Sequence, residues 1–181
     1  MLQPRESAEL PDEGEIKWAP ITAYWSVLWR SGVALARELA EEELGGRRVV
    51  ELGCGLAVPS LAAARAGAEV LATDADPEAL ALAERNAEAN GVRLEVAVVD
   101  WYFPSTLEER APFDLALAAD ILYLPSSADT MLELLPRLAP EVWIADPGRD
   151  DARSFLERAA DGWSIETTER GVVQVHRMRR R

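Results

Sequence analysis

Hydrophobic and polar positions follow two rhythms along this chain. Short, mostly apolar runs alternate with longer stretches in which apolar residues fall three and four apart. The runs at 48–52, 69–73, 94–99, 113–119 and 141–145 have strand length, and the mostly apolar run at 113–119 predicts a strand buried on both faces. The stretches between them carry helical spacing. Gly32, Leu35, Ala36 and Leu39 form the buried stripe of a helix capped by Ser31 and running to about residue 43, with Glu38, Glu41, Glu42 and Glu43 as its solvated face and Gly45-Gly46 as its stop. Pro59 suits the first turn of a helix that ends at Gly67. Asp76-Pro77 reads as an N-cap followed by proline at the first helical position, and that helix closes at Asn90-Gly91. Further helices are expected over 128–138, bent or ended near Pro136, and over 152–160. Residues 163–168 and 172–177, joined by Glu169-Arg170-Gly171, read as a β-hairpin. The basic residues 177–181 read as a solvated tail.

Strands alternating with helices, then a terminal hairpin, predict an α/β fold: a doubly wound, mostly parallel sheet with helices on both faces and a C-terminal antiparallel hairpin. Ligands of such sheets bind at the strand C-termini. Those ends carry Gly53–Gly55, Asp74, Asp100-Trp101, Asp120 and Asp146–Arg149. A chain of 181 residues without internal repeats is expected to be one domain. It would span 16–178, after a mobile acidic segment over 1–15 that lacks a secretory apolar core, and before a basic tail over 179–181. Trp18, Tyr24, Trp25 and Trp29 crowd the start of this unit, either packing a lid across it or walling its pocket.

Composition narrows the partners. No apolar run approaches the roughly 18–20 residues of a membrane span. The single cysteine, Cys54, excludes an internal disulfide and fits a reducing cytoplasm. A net charge of −13 argues against broad affinity for nucleic acid; it either suits a cationic partner or serves solubility. Among the 19 basic residues only Lys17 is lysine, which with abundant alanine points to a GC-rich bacterial source.

The first strand runs into Glu51-Leu52-Gly53-Cys54-Gly55, and Asp74 follows one βα unit later. Glycines there let a backbone approach a ligand, and the second-strand carboxylate can hold two ribose hydroxyls. A dinucleotide fingerprint would need a third glycine where Val58 stands, and Glu51 would repel a pyrophosphate. S-adenosylmethionine has a sulfonium, an ammonium and a ribose diol, and no phosphate. Glu51 and the Gly53–Gly55 turn suit its methionine end, and Asp74 suits its diol.

The pattern resembles the class I, seven-β-strand methyltransferases over about residues 18–178, and within them the family 16 lysine methyltransferases. Tyr24-Trp25-Ser26-Val27-Leu28-Trp29, Val50-Glu51-Leu52-Gly53-Cys54-Gly55 and Ala119-Asp120-Ile121-Leu122-Tyr123 carry the likeness, the last matching a D-x-x-Y motif. Asp146-Pro147-Gly148-Arg149 looks like the bacterial branch related to the lysine methyltransferase of electron-transfer flavoprotein β-subunit. The resemblance implies a seven-stranded Rossmann-like sheet and S-adenosylmethionine as cofactor, with no metal. It implies that Gly53, Cys54 and Gly55 meet the methionine part, that Asp74 holds the ribose, that Asp100 and Trp101 flank the adenine, that Ala119 lines the cofactor and that Trp29 closes over it. One position departs: Arg30 stands where the group usually has proline.

The acceptor chemistry is then an amine. Asp120 can orient it, act as its base, hold the cofactor's ammonium, or merely cap a strand end. Tyr123 either walls the channel or packs in the core. Trp25 is a candidate substrate contact. Arg149 can bind a substrate carboxylate or brace its loop by a salt bridge. Cys54 lacks a histidine partner for nucleophilic work, and His176, in the last strand, is expected to be structural. No Cys/His set has metal-ligand spacing. Without paired prolines in the Asp-Ile-Leu-Tyr motif, a protein lysine is favoured as acceptor over a flat conjugated nitrogen, with a small-molecule amine as the alternative. A binding protein without turnover and an NAD-dependent oxidoreductase are the rival classes.

Overall fold

The computed structural model describes residues 1–3 and 23–181. The expected mobile segment beyond Gln3, the start of the domain at 16 and Trp18 lie outside the described residues. A short 3-10 turn, Tyr24–Ser26, precedes α1 (Arg30–Leu39), β1 (Arg48–Leu52), α2 (Val58–Arg65), β2 (Glu69–Asp74), α3 (Pro77–Ala89) and β3 (Glu95–Val98). Then come α4 (Ser105–Glu108), β4 (Leu115–Ala119), α5 (Pro125–Leu138), β5 (Glu141–Asp146), α6 (Asp150–Ala159), β6 (Trp163–Arg170) and β7 (Val173–Arg180). The seven strands form one sheet in the order β3-β2-β1-β4-β5-β7-β6. Strands β1 to β5 pair in parallel and β7 runs antiparallel to both β5 and β6. Among the described residues no helix is long and apolar enough to cross a membrane.

The central strands are apolar on both sides because each feeds two cores. Val50 and Leu52 of β1 and Ala116 and Ala118 of β4 pack with Met131, Leu134 and Phe155 of α5 and α6. Val49, Leu115 and Leu117 point the other way and pack with Leu35 and Leu39 of α1. This period-2 division of side chains between faces explains the mostly apolar runs. The chain winds outward from β1 to β3, then returns to place β4 on the other side of β1, so β1 and β4 frame the topological switch point where such sheets bind ligands.

Several expectations are corrected. Ser31 does not cap α1: the cap position is Trp29, and Ser31 is buried within the first turn. The helix ends at Leu39, before the glycine pair. Glu38 is not on a solvated face; it is 4% exposed and receives Arg170 and Arg177 from the hairpin. Helix α5 begins at Pro125, whose fixed φ suits a first turn, and it continues past Pro136 for two residues. The basic end is no tail. Arg177 lies in β7 with its guanidinium 3.9 Å from the centroid of the Trp143 ring, Arg179 reaches Glu141 at 3.6 Å, and Arg180 donates to the Pro136 carbonyl at 2.5 Å. Sequence periodicity had no means of showing these partners, which come from distant elements. The four-residue α4 has too little length for a period and was not expected.

Candidate functional site

At the C-terminal ends of β1, β2 and β4 lies a cavity of about 700 Å³, a size suited to a cofactor. Its lining brings together Trp25, Trp29, Glu51, the Gly53–Gly55 turn, Asp74, Asp100, Trp101, Ala119, Asp120, Tyr123 and Arg149, all candidates from the sequence. Tyr24, from the aromatic segment expected to form a lid or a pocket wall, lines it too. Asp76 and Tyr102 join them and had not been singled out for the site. The N-cap reading of Asp76 holds as well, because its carboxylate accepts from the Glu78 amide at 2.8 Å.

The turn after β1 is built from left-handed residues: Gly53 has φ +64° and Gly55 +49°, with Ala57 at +60° just before α2. Space as well as torsion demands the glycines. A Cβ on Gly53 would sit 2.8 Å from the Trp101 ring, and one on Gly55 2.9 Å from the Trp25 carbonyl. Trp101 therefore lies across one glycine and the aromatic N-terminal segment across the other. Cys54 is different: its side chain packs with Ala57, Ala72, Leu80 and Ala83, so only its backbone belongs to the turn. Burial pushes its thiol pKa well up, and Glu51 and Asp74 add to this, the opposite of what a nucleophile needs.

Glu51 ends β1 with 1% exposure. Its Oε2 accepts the Ser60 amide at 2.9 Å and the Ser60 hydroxyl as well. Ala57 has no side-chain oxygen to cap α2, and Glu51 supplies one from the neighbouring strand. Burial raises its pKa from 4.5 to about 8, with Asp74 contributing and the Ser60 hydrogen bonds opposing. Asp74 accepts the Gly55 amide at 2.9 Å and the Asp76 amide at 3.0 Å, which fixes its carboxylate against the turn. Its pKa is raised, again chiefly by burial. Asp100 accepts the Tyr102 amide at 2.9 Å and so orients the segment bearing Trp101. Trp29 donates from its indole to the Tyr24 carbonyl at 3.0 Å, which ties the aromatic segment to the start of α1. Arg30, in place of the family's proline, takes the first position of α1.

Across the switch point, Asp120 follows β4 with φ +59°, a conformation that aspartate tolerates better than most side chains. Its backbone amide donates to Ala145 at 3.0 Å. Its Oδ1 lies 2.7 Å from Arg149, and its Oδ2 is buried without a hydrogen-bond partner among the described residues. Burial raises its pKa, opposed first by Arg149 and then by the nearby Ser31 hydroxyl. Tyr123 is 41% exposed at the mouth, so it is not a core residue; burial of its inner part is the main cause that raises its pKa. Tyr102 meets Ser126 at 3.0 Å on the same rim.

The Arg149 guanidinium already pairs with two carboxylates, as in the loop-bracing reading of this residue. One nitrogen lies 2.7 Å from both Asp120 and Asp146. It is the one basic side chain among the described residues that line the cavity, against Glu51, Asp74, Asp76, Asp100 and Asp120. The donor set thus fits a cationic ligand with a diol, and it offers a pyrophosphate no counter-charge. His176 sits on β7 with 2% exposure. Its Nδ1 meets the Thr167 hydroxyl at 2.8 Å, and burial lowers its pKa.

A seven-stranded sheet in this order, with its cavity at the switch point, defines the Rossmann-like fold of class I methyltransferases. The solved 16S rRNA N2 G1207 methyltransferase of T. thermophilus superposes with a TM-score of 0.70 at 21% identity, covering 85% of this chain and 44% of that one. The chain belongs to the lysine methyltransferase family, whose model matches residues 21–153. It is 35% identical over 139 residues to the electron transfer flavoprotein beta subunit lysine methyltransferase of Danio rerio, covering 73% of this chain and 53% of that one. It is 32% identical over 121 residues to the protein N-lysine methyltransferase METTL21A of Danio rerio, covering 63% and 55%. The chain thus spans about half the length of these relatives.

Proposed function

We propose that the chain transfers a methyl group from S-adenosylmethionine to the ε-amine of a lysine in a protein. The observation that carries this reading is the acidic lining of the cavity: Asp74, Asp76, Asp100, Asp120 and the easily protonated Glu51 face one guanidinium that Asp120 and Asp146 already share. The names of the relatives, both lysine methyltransferases, support the acceptor, and the T. thermophilus neighbour was solved in complex with AdoMet. When bound, the cofactor supplies a methyl group already activated by its sulfonium.

The chain's own residues then bind, orient and exclude water. Asp74 takes the ribose hydroxyls. Asp100 and Trp101 flank the adenine. Glu51 and the Gly53-Cys54-Gly55 turn meet the methionine end, with Cys54 contributing backbone alone. Trp29 and Ala119 close the sides, and Trp25 and Tyr123 wall the acceptor channel. Free lysine is neutral in only about one molecule in 2,500 at pH 7, so the acceptor must shed its proton as it is desolvated. Asp120 holds the amine's N–H and sets its direction of attack. A cytoplasmic setting and a GC-rich bacterial source belong to the same proposal, supported by the lone buried Cys54 and the single lysine.

Isothermal titration with S-adenosylmethionine, S-adenosylhomocysteine and NAD tests the reading. The first two should bind, NAD should not, and Asp74→Ala should weaken binding about a hundredfold. Binding of NAD alone would end the methyltransferase reading. Unchanged affinity in Asp74→Ala would remove the ribose assignment.

A further inference from the structure

The loop after β5 carries a buried ionic chain that reaches the cavity wall. Asp146 is 0% exposed. Its Oδ1 accepts the Gly148 and Arg149 amides, both at 2.8 Å, which folds the loop back on itself. Its Oδ2 lies 2.7 Å from the Arg149 guanidinium. The same nitrogen of Arg149 lies 2.7 Å from Asp120 Oδ1. Asp120 therefore has one oxygen committed to a cation and one buried oxygen that makes no hydrogen bond within geometric limits among the described residues, with the Ser31 hydroxyl nearby. An unsatisfied buried carboxylate oxygen is costly, and here it belongs to a residue lining the cavity.

We infer that Arg149, braced by Asp146, is a positioning residue for Asp120: it occupies Oδ1 and leaves Oδ2 as the acceptor for the substrate amine's N–H. This rests on the assignment of Asp120 to the amine in the preceding reading. It replaces the idea of Arg149 as a substrate-carboxylate contact. The arrangement follows a known logic of site construction, in which a reacting group is held by partners that never meet the substrate. Asp146 holds Arg149 toward the cavity, and Arg149 opposes the burial that raises the Asp120 pKa. The groups that face Asp120 are Arg149 and Asp146 from the β5–α6 loop and the Ser31 hydroxyl from α1. Arg149 is the cation among them.

The test uses Arg149→Met, Arg149→Lys and Asp146→Asn in the full chain. Asp146→Asn keeps the side-chain carbonyl that caps the loop and removes the charge that braces the arginine. Three quantities are measured: cofactor affinity by titration calorimetry, turnover against the wild type's acceptor, and the titration of the Asp120 carboxyl by ¹³C NMR, which needs no acceptor. In Arg149→Met, turnover should fall about a hundredfold while cofactor affinity stays within about threefold. The Asp120 titration and the acid limb of the turnover profile should both move up by about one to three pH units, because a buried carboxylate has lost its neighbouring cation. Arg149→Lys should recover part of both, and Asp146→Asn should show the same pattern more weakly. The inference is overturned if Asp120 titrates as in wild type in Arg149→Met, or if cofactor affinity falls in step with turnover. Failure of the methyltransferase reading looks different: wild type would methylate nothing, while the NMR titration would still report whether Arg149 holds Asp120.

Discussion

Replacing Glu51 with glutamine should stabilise the free protein while weakening its hold on a cationic ligand. The side chain is 1% exposed, and its pKa rises from 4.5 to about 8 on folding. An unfolded chain ionises Glu51 near 4.5, so between there and about pH 8 the folded protein binds a proton that the unfolded one has lost. Stability from this group is intact below pH 4.5 and declines across that window at about 1.4 kcal/mol per pH unit. Glutamine keeps an oxygen for the Ser60 amide and carries no charge to desolvate, so it escapes the decline. An isoelectric point near 4.5 makes the lowest pH impractical, and pH 5.5 and pH 8 serve instead. Urea unfolding at these two values should show the advantage of Glu51→Gln growing by about 3 kcal/mol, a midpoint difference of about 1–2 M with an ordinary denaturant slope. A gap independent of pH would refute the reasoning, as would a wild type that gains on the variant as pH rises. Either result would mean that Glu51 is solvated or paired in a way the buried Ser60 contact does not provide.

Binding of a cation beside a mostly protonated Glu51 should expel its proton. Affinity for S-adenosylmethionine should therefore climb with pH to about 8. The calorimetric enthalpy at pH 7 should depend on the buffer's own ionisation heat in wild type and not in Glu51→Gln; equal enthalpies in two buffers would exclude the coupling. Gly55→Ala should cost about 1–2 kcal/mol of stability and about tenfold in cofactor affinity, since its Cβ would meet the Trp25 carbonyl at 2.9 Å. Unaltered affinity and unfolding midpoint in that variant would show that the aromatic segment is free to shift off the turn.

The order of elements was readable because each central strand packs on two sides and so is mostly apolar, as in 115–119. The glycine turn was readable for a related reason: φ near +50° to +65° and close neighbours leave few alternatives at Gly53 and Gly55. The misreadings share a cause of their own. Ser31 has the composition of a cap, yet it is buried in α1 beside Asp120. Glu38 belongs by sequence to an acidic face, yet two arginines more than 130 residues away close over it. Arg177 looks like part of a basic tail until Trp143, on the neighbouring strand, is placed beneath it. Local pattern encodes which face of an element is apolar; it does not encode which distant charge will meet a polar side chain there. Of the cavity residues missed, Tyr102 follows directly on Trp101, so the loop after β3 held the signal.

The most direct test of the methyltransferase assignment is methyl transfer itself. Protein carrying Asp120 or Asp120→Asn is incubated with cell lysate and isotopically labelled S-adenosylmethionine, and peptides and small molecules are separated and read by mass spectrometry. The account predicts label on a lysine side chain of a protein with wild type, and about a hundredfold less with Asp120→Asn at unchanged cofactor affinity. Label confined to the small-molecule fraction would contradict the protein acceptor, and no label in any fraction from a wild type that binds the cofactor would contradict the enzyme.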